Sequence, residues 1–351
     1  MPSLFVFVKP IRQSFVNRVH PIANPTPKNV LLLCGGPDRE RPVSLQSGAQ
    51  VADALRQAGH HVTQGDLAPD NTHALDAFAQ THRANPSGGN NKGHGHGNAV
   101  VFPVFHGPWG EGGGAQTLIQ ATGLPFVGCR SNAAALCMDK ARTKLTLRDA
   151  GLPTPDYELV DTAFSPTLEA PVVVKPNNDG SSIDLAICPD APSLADAWAH
   201  LRDRHRWLLV ERLITGREIT VGVIEDENGR PAALPPIHIQ PATAFYDYAA
   251  KYERDDTHYL FDFGLSADQI AALQALAIKA FTTLGVRHLG RVDLFLDEQN
   301  QPWIIEVNTL PGFTSHSLLP MASARAGRAL PQLVDHLVCL AAANPHPCKS
   351  S

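Results

Sequence analysis

Residues 291 to 312 read RVDLFLDEQNQPWIIEVNTLPG, two apolar runs on either side of a polar turn. Runs of this length around such a turn fold as a β-hairpin. Asp293, Glu306 and Asn308 interrupt the apolar runs, where charge is costly without a partner. With residues 298 to 301 as the loop, Asp297 pairs with Pro302, Asp293 with Glu306, and Arg291 with Asn308. Side chains alternate along a strand, so all four project from one face. Directly opposed carboxylates repel each other, and a bound cation converts that repulsion into affinity. Two carboxylates and an amide oxygen are hard donors, suited to a Mg²⁺ that also holds nucleotide phosphates. The alternative is a polar face turned to solvent; the apolar neighbours and the co-facing Arg291 favour the metal.

Phosphate donors must then come from elsewhere. The chain has no GxxxxGK[ST] sequence, and the glycines after its first apolar run lack the GxGxxG pattern, so neither a P-loop nor a nicotinamide site is supported. KPNNDGSS places Lys175 at the end of a buried strand, ahead of a Gly/Ser-rich loop whose N–H and hydroxyl groups suit phosphate oxygens.

NVLLLCGG followed by SLQSGAQVADALRQAG reads as strand, turn and helix, the opening of a βαβ unit. Leu45, Ala49, Ala52 and Leu55 recur at helical spacing, and Gly59 is placed to end the helix. Further buried strands, AVVFPVFHG and GLPFVG, carry this unit to about residue 130. A single helix is expected from Ser131 through CMDKARTKLTLRDAG, then strands PVVVKP and WLLVERL, up to residue 213. A third region, 214–343, opens with EITVGVI. It includes a helix beginning at Ser266, where Ser266 and Gln269 have capping-box spacing and Ile270, Leu273, Ala277, Ala280 and Leu284 form a stripe.

The 351 residues suit two or three domains. A net charge of -5 and a pI near 6.3 give no broad nucleic-acid-binding face, and no apolar run is long enough to cross a membrane. Six scattered cysteines lack zinc-site spacing and read as reduced, buried small hydrophobes in a cytoplasmic protein. Residues 1–28, basic and without an acidic side chain, read as a disordered extension, with a targeting peptide as the alternative. Residues 84–98 read as a flexible surface insertion and 344–351 as a tail.

The motifs GGPDRERPVSLQSG, HGPWGEGGGAQ, MDKARTK, VVKPNNDGSS, ERLITGREITV, FYDYAAKY, GRVDLFL and EVNTLPGFTSHSLLP follow one another between about Asn29 and Ala343. In this order they resemble the ATP-grasp superfamily and, within it, the D-alanine–D-alanine ligase family. The resemblance implies an α/β and α+β protein, a three-domain ATP-grasp fold whose N-terminal domain is Rossmann-like (biotin-carboxylase-N-like), with ATP held between two antiparallel sheets. It implies phosphorylation of one D-alanine carboxylate by ATP and attack on the acylphosphate by the amine of a second, for peptidoglycan synthesis. By motif, Lys140, Lys175, Glu211, Arg212, Ile214, Glu218 and Lys251 would bind ATP. Asp293, Glu306 and Asn308 would hold two Mg²⁺ (or Mn²⁺) ions. Glu40 and His106 would bind the first D-alanine, and Ser317 and the Leu318 backbone the second. Arg291 and the Gly312 N–H would stabilise the tetrahedral intermediate, while Glu40, Ser181 and Tyr252 would form a hydrogen-bonded triad. The implied partners are ATP and D-alanine, together with a second copy in a homodimer.

Taken singly, several of these residues have a plainer reading: Glu40 as a helix-entry charge, Ser317 as a helix cap, His106 as a strand-end histidine, Lys140 as a solvated helix lysine. Departures from the family pattern are also visible. Gly112 and Gly114 replace its usual Asp and Thr, which is expected to loosen that loop. Asp184 replaces a glycine near the phosphates and is tolerable only if it points outward.

Overall fold

A computed structural model describes residues 26–82, 98–180, 184–241 and 256–343. The extension, the insertion at 84–97, Ser181, the loop carrying Lys251 and Tyr252, and the tail lie outside the described residues.

The first sheet is parallel, in the order β2-β1-β3, from β1 (Asn29–Cys34), β2 (His61–Asp66) and β3 (Ala99–Pro103). Because β1 is buried on both faces, helices cover it on both sides. Leu31, Leu33, Val101 and Phe105 pack against α2 (His73–His82) and, past the short α3 (Pro108–Glu111), against α4 (Gly114–Ala121). Val30, Leu32, Val100 and Phe102 pack on the other side, against α1 (Arg41–Gln57). The expected stripe on α1 is displaced. Leu45 and Ala49 are exposed, and the buried face carries Ser44, Ser47, Gly48, Val51 and Leu55. The Ser44 hydroxyl explains the displacement: it accepts from Gly35 N–H at 2.8 Å and donates to the Val104 carbonyl at 2.5 Å, tying helix to sheet. Gly59 ends the helix in the left-handed region, φ +91°.

Where one helix is expected there are two, α5 (Ser131–Met138) and α6 (Lys140–Asp149). Asp139 breaks the run in an extended conformation, and its carboxylate accepts from Arg142 N–H, capping α6. An antiparallel sheet follows, order β4-β7-β5-β6: β4 (Tyr157–Asp161), β5 (Val172–Pro176), β6 (Ala186–Cys188) and β7 (Trp207–Arg212). Val172, Val174, Leu208 and Val210 pack on α7 (Ala191–Leu201), which leaves Val173, Lys175, Leu209 and Glu211 on the opposite face.

The last sheet runs β11-β10-β8-β12-β13, with β9 beside β8. Its members are β8 (Arg217–Glu225), β9 (Pro231–Ala233), β10 (Ile237–Gln240), β11 (His258–Leu260), β12 (Leu289–Leu296) and β13 (Pro302–Asn308). Val292, Leu294, Leu296, Ile304 and Val307 are buried against α8 (Ala267–Thr283). Ser266 and Gln269 do form a capping box there, although Phe281 is buried where Ile270 is only half-buried. After α9 (Leu318–Arg325), α10 (Leu330–Ala343) returns to the first sheet and packs its Leu333, Leu337 and Val338 into the core of Val30, Leu32 and Phe102.

Cys34, Cys129, Cys137 and Cys188 are buried and free, as expected; Cys339 is exposed. Among the described residues no helix is long and apolar enough to cross a membrane.

Candidate active site

The hairpin reaches the expected pairing by an unexpected route. Asp293 lies opposite Glu306 and Arg291 opposite Asn308, but β12 and β13 close at Leu296 and Pro302, so the loop is 297–301. That closure alone would set Asp293 against Ile305 and turn Glu306 to the other face. A β-bulge at Ile305 supplies the missing residue: beyond it the register advances by one. Burial records the shift, since Ile304 and Val307, three apart, are both in the core. Asp297 organises the loop by accepting from the Gln299 and Gln301 N–H groups and the Trp303 indole.

Two adjoining cavities share this face. One, enclosing about 1080 Å³, lies between the two antiparallel sheets. Val173, Lys175, Ile187 and Glu211 wall it on one side; Glu218, Ile239, Asp293 and Phe295 on the other. Arg212 and Ile214 lie at its margin. The second, about 910 Å³, is lined by Glu40, His106, Asn308, Gly312, Ser317 and Leu318. Lys140, Arg291 and Glu306 line both. The fold thus gathers every expected site residue that falls within the described chain around one connected space.

Charge in the larger cavity is tightly paired. Glu211, 3% exposed, stands 2.6 Å from Lys144 Nζ and 2.5 Å from Lys175 Nζ. Burial alone would raise the Glu211 pKa, but the two ammonium groups hold it below the usual carboxylate range. Lys144 is fully enclosed, and burial pushes its pKa down to about 8 against the pull of Glu211. Lys140, far from solvated, sits at the first turn of α6, donates to the Asp179 carbonyl at 2.5 Å and lies 3.8 Å from Glu306. Burial lowers its pKa too. Lys144 is a site residue missed in the sequence. Its signal was the i,i+4 spacing within MDKARTK, which puts it one turn beyond Lys140 on the same helix face.

On the hairpin face Arg291 donates to both Asp293 oxygens, at 2.9 and 2.7 Å, and the Thr220 hydroxyl donates to the same carboxylate at 2.6 Å. Asn308 Oδ1 accepts from Leu310 N–H at 3.0 Å and keeps a second lone pair.

In the smaller cavity the side chains make contacts that the plain readings do not call for. Glu40 occupies the cap position of α1, but its side chain makes no capping bond; it reaches toward Gly180, where an added Cβ would meet its Oε2 at 3.5 Å. Ser317 precedes α9 without capping it, its hydroxyl instead accepting from Thr314 N–H at 2.9 Å. The first N–H groups of α9 then have no carbonyl one turn earlier, and Leu318 presents them at the cavity wall. His106 is buried, Nδ1 3.1 Å from Glu111, and its Nε2 has no hydrogen-bond partner among the described residues. That nitrogen faces Gly312, where a Cβ would lie 3.7 Å from it and 2.8 Å from the Ser317 hydroxyl, so a larger residue would have to push the Ser317 side chain aside.

The departures are accommodated locally. A Cβ on Gly112 would sit 2.1 Å from the Pro108 carbonyl, and one on Gly114 would sit 2.5 Å from the Trp109 indole. The segment is close-packed rather than loosened, Trp109 filling the room a side chain would need. Gly112→Asp is therefore expected to destabilise the protein by about 1–3 kcal/mol through overpacking, read as a lower midpoint in urea. Asp184 adopts φ +54°, a conformation glycine tolerates best. Its carboxylate turns outward to Arg204 and His205, at 2.7 and 2.8 Å.

Comparison with known proteins agrees across the chain. Residues 29–129 match the family described as D-ala D-ala ligase N-terminus, and residues 146–339 the D-ala D-ala ligase C-terminus. A D-alanine--D-alanine ligase of Hydrogenovibrio crunogenus is 38% identical over 89% of this chain and 94% of its own. A D-alanine--D-alanine ligase B of Chromobacterium violaceum is 40% identical over 87% and 94%. Two solved structures superpose at 25% identity: the D-alanine-D-alanine ligase from Coxiella burnetii (TM-score 0.71, covering 90% of this chain and 94% of that one) and the VanG D-Ala:D-Ser ligase from Enterococcus faecalis (TM-score 0.72, 90% and 99%). The chain belongs to the D-alanine–D-alanine ligase family.

Proposed function

We propose that this chain joins two D-alanines to D-alanyl-D-alanine at the expense of ATP, through an acylphosphate, to supply peptidoglycan precursors. The observation that carries this reading is the pair of cavities meeting at Lys140, Arg291 and Glu306. One has room and apolar walls for a nucleotide, the other polar groups for two small amino acids.

In this reading ATP lies between the sheets, its purine and ribose toward Glu211, Arg212, Ile214 and Glu218. Lys140, Lys175 and Lys251 balance phosphate charge, which is what phosphoryl transfer chiefly needs from a protein. Glu40 accepts from the ammonium of the first D-alanine, and His106 lies beside its carboxylate. The second D-alanine places its carboxylate on the Ser317 hydroxyl and the Leu318 N–H at the start of α9, where an anion is favoured. Arg291 and the Gly312 N–H then face the oxyanion that forms as the amine attacks. The triad expected of Glu40 with Ser181 and Tyr252 involves two residues outside the described chain.

Asp293, Glu306 and Asn308 fit two Mg²⁺ or Mn²⁺ ions by donor chemistry: two opposed carboxylates and an amide oxygen with a spare lone pair. Among the described residues no group of three His, Cys, Asp or Glu side chains gathers anywhere, so the amide and the nucleotide's own oxygens must complete the set. Once bound, the ions neutralise charge on the phosphates. Arg291 holds Asp293 in place for this task.

The proposal extends to three domains, 29–130, 131–213 and 214–343, in a cytoplasmic homodimer. The test is phosphate release from Mg-ATP with D-alanine, L-alanine, D-serine, and D-alanine plus D-lactate, the product identified by mass. D-alanine-dependent release with D-alanyl-D-alanine is expected. Nucleotide binding without product from any D-amino acid would overturn the substrate assignment. A product with D-serine at the second position would place this chain's preference with the Enterococcus faecalis enzyme.

A further inference from the structure

The bulge at Ile305 decides whether Glu306 and Asn308 share the Asp293 face, yet a bulge interrupts the ladder and is a weak place in a sheet. β13 is also the last strand in its sheet order, with only β12 beside it. Something outside the sheet has to fix which residue is extruded.

That support comes from the segment between α6 and β4. Ile304 donates its N–H to the Pro153 carbonyl at 2.9 Å, and its carbonyl accepts from the Thr154 hydroxyl at 2.9 Å. Both backbone groups on the outer edge are thereby engaged at the residue just before the bulge. Thr154 is buried, and its hydroxyl is oriented by Lys144, whose Nζ lies 2.9 Å from Oγ1. An ammonium only donates, so the hydroxyl proton is left free for the Ile304 carbonyl. The same Nζ pairs with Glu211 in the nucleotide cavity.

We infer that Thr154 is a positioning residue: through its bond to Ile304 it locks the Ile305 bulge and keeps Glu306 and Asn308 on the face that takes the metal. This rests on the metal reading proposed above. It assigns a role to a side chain that lines neither cavity and lies outside every motif quoted above.

The experiment measures Mn²⁺ binding by electron paramagnetic resonance with the full-length protein and ADP, for wild type, Thr154→Val, Thr154→Ser and Glu306→Gln. Residues that orient metal ligands characteristically change affinity 10- to 100-fold. Thr154→Val is expected to weaken Mn²⁺ binding about ten-fold, Thr154→Ser to restore it, and metal-free ADP affinity to stay unchanged. A lowered melting midpoint with unaltered Mn²⁺ affinity would mean that Thr154 is only structural, overturning the inference. If Glu306→Gln weakens Mn²⁺ and Thr154→Val does not, the inference fails and the metal reading stands. If Glu306→Gln has no effect either, the metal reading itself is wrong. Should Thr154→Val not fold, Thr154→Ala removes the same hydroxyl and is read in the same way.

Discussion

Glu306→Gln is expected to lower D-alanine-dependent phosphate release about a thousand-fold while ADP still binds. Charge neutralisation on a transferring phosphoryl group by a metal is worth several kcal/mol, and each ~1.4 kcal/mol is a factor of ten in rate. Glutamine keeps the size of the side chain and removes the charge that opposes Asp293. The neighbouring Lys140, 3.8 Å away, loses its counter-charge in the same substitution. Single-turnover phosphate release, with ADP affinity measured separately, checks the effect. A loss confined to nucleotide affinity, with turnover intact at saturation, would remove Glu306 from the phosphoryl-transfer machinery.

Glu211→Gln acts on stability first. Among the described residues Glu211 is the acidic group that pairs with both Lys144 and Lys175, and all three are almost wholly enclosed. Removing one partner of a buried ionic cluster costs about 3–5 kcal/mol, because the charges left behind are desolvated without compensation. Here two cations would be left facing each other. A fall in the urea midpoint of corresponding size is expected, and the double variant Glu211→Gln with Lys144→Met should recover part of it, since one of the stranded charges is gone. A midpoint within about 0.5 kcal/mol of wild type, the usual range for surface changes, would mean the cluster is open to water.

The hairpin shows how far a sequence can be read and where it stops. Alternation of apolar and polar residues was enough to put Asp293 opposite Glu306 and Arg291 opposite Asn308. Alternation alone gives a loop of 298–301, one residue short, and carries no sign of the bulge at Ile305; the two differences offset each other. No composition signal marks a bulge at the second of two isoleucines, because what holds it is a hydroxyl some 150 residues away in sequence. Helix α1 failed for a related reason. Counting apolar residues favours Leu45 and Ala49, whereas Ser44 and Ser47 face inward because Gly35, Val104 and Phe313 offer them partners. Asp139 was legible only as part of a motif, although Asp is a good capping residue and its presence explains the break between α5 and α6. The ordered motifs, by contrast, pointed to residues that the fold brings around the two cavities.

The return of α10 to the first sheet has a consequence for how the protein is made. Val30 and Leu32 leave the ribosome some 300 residues before Leu333, Leu337 and Val338, which complete their core. Until that helix is made, the first sheet therefore has only α1 over this face and leaves part of it uncovered, the kind of apolar surface that draws chaperones and promotes aggregation. Contacts spanning some 300 residues must also wait for loop closure, which slows folding. A nascent chain halted before residue 330 would be a client for chaperones, and completion of the final helix would be the event that releases it.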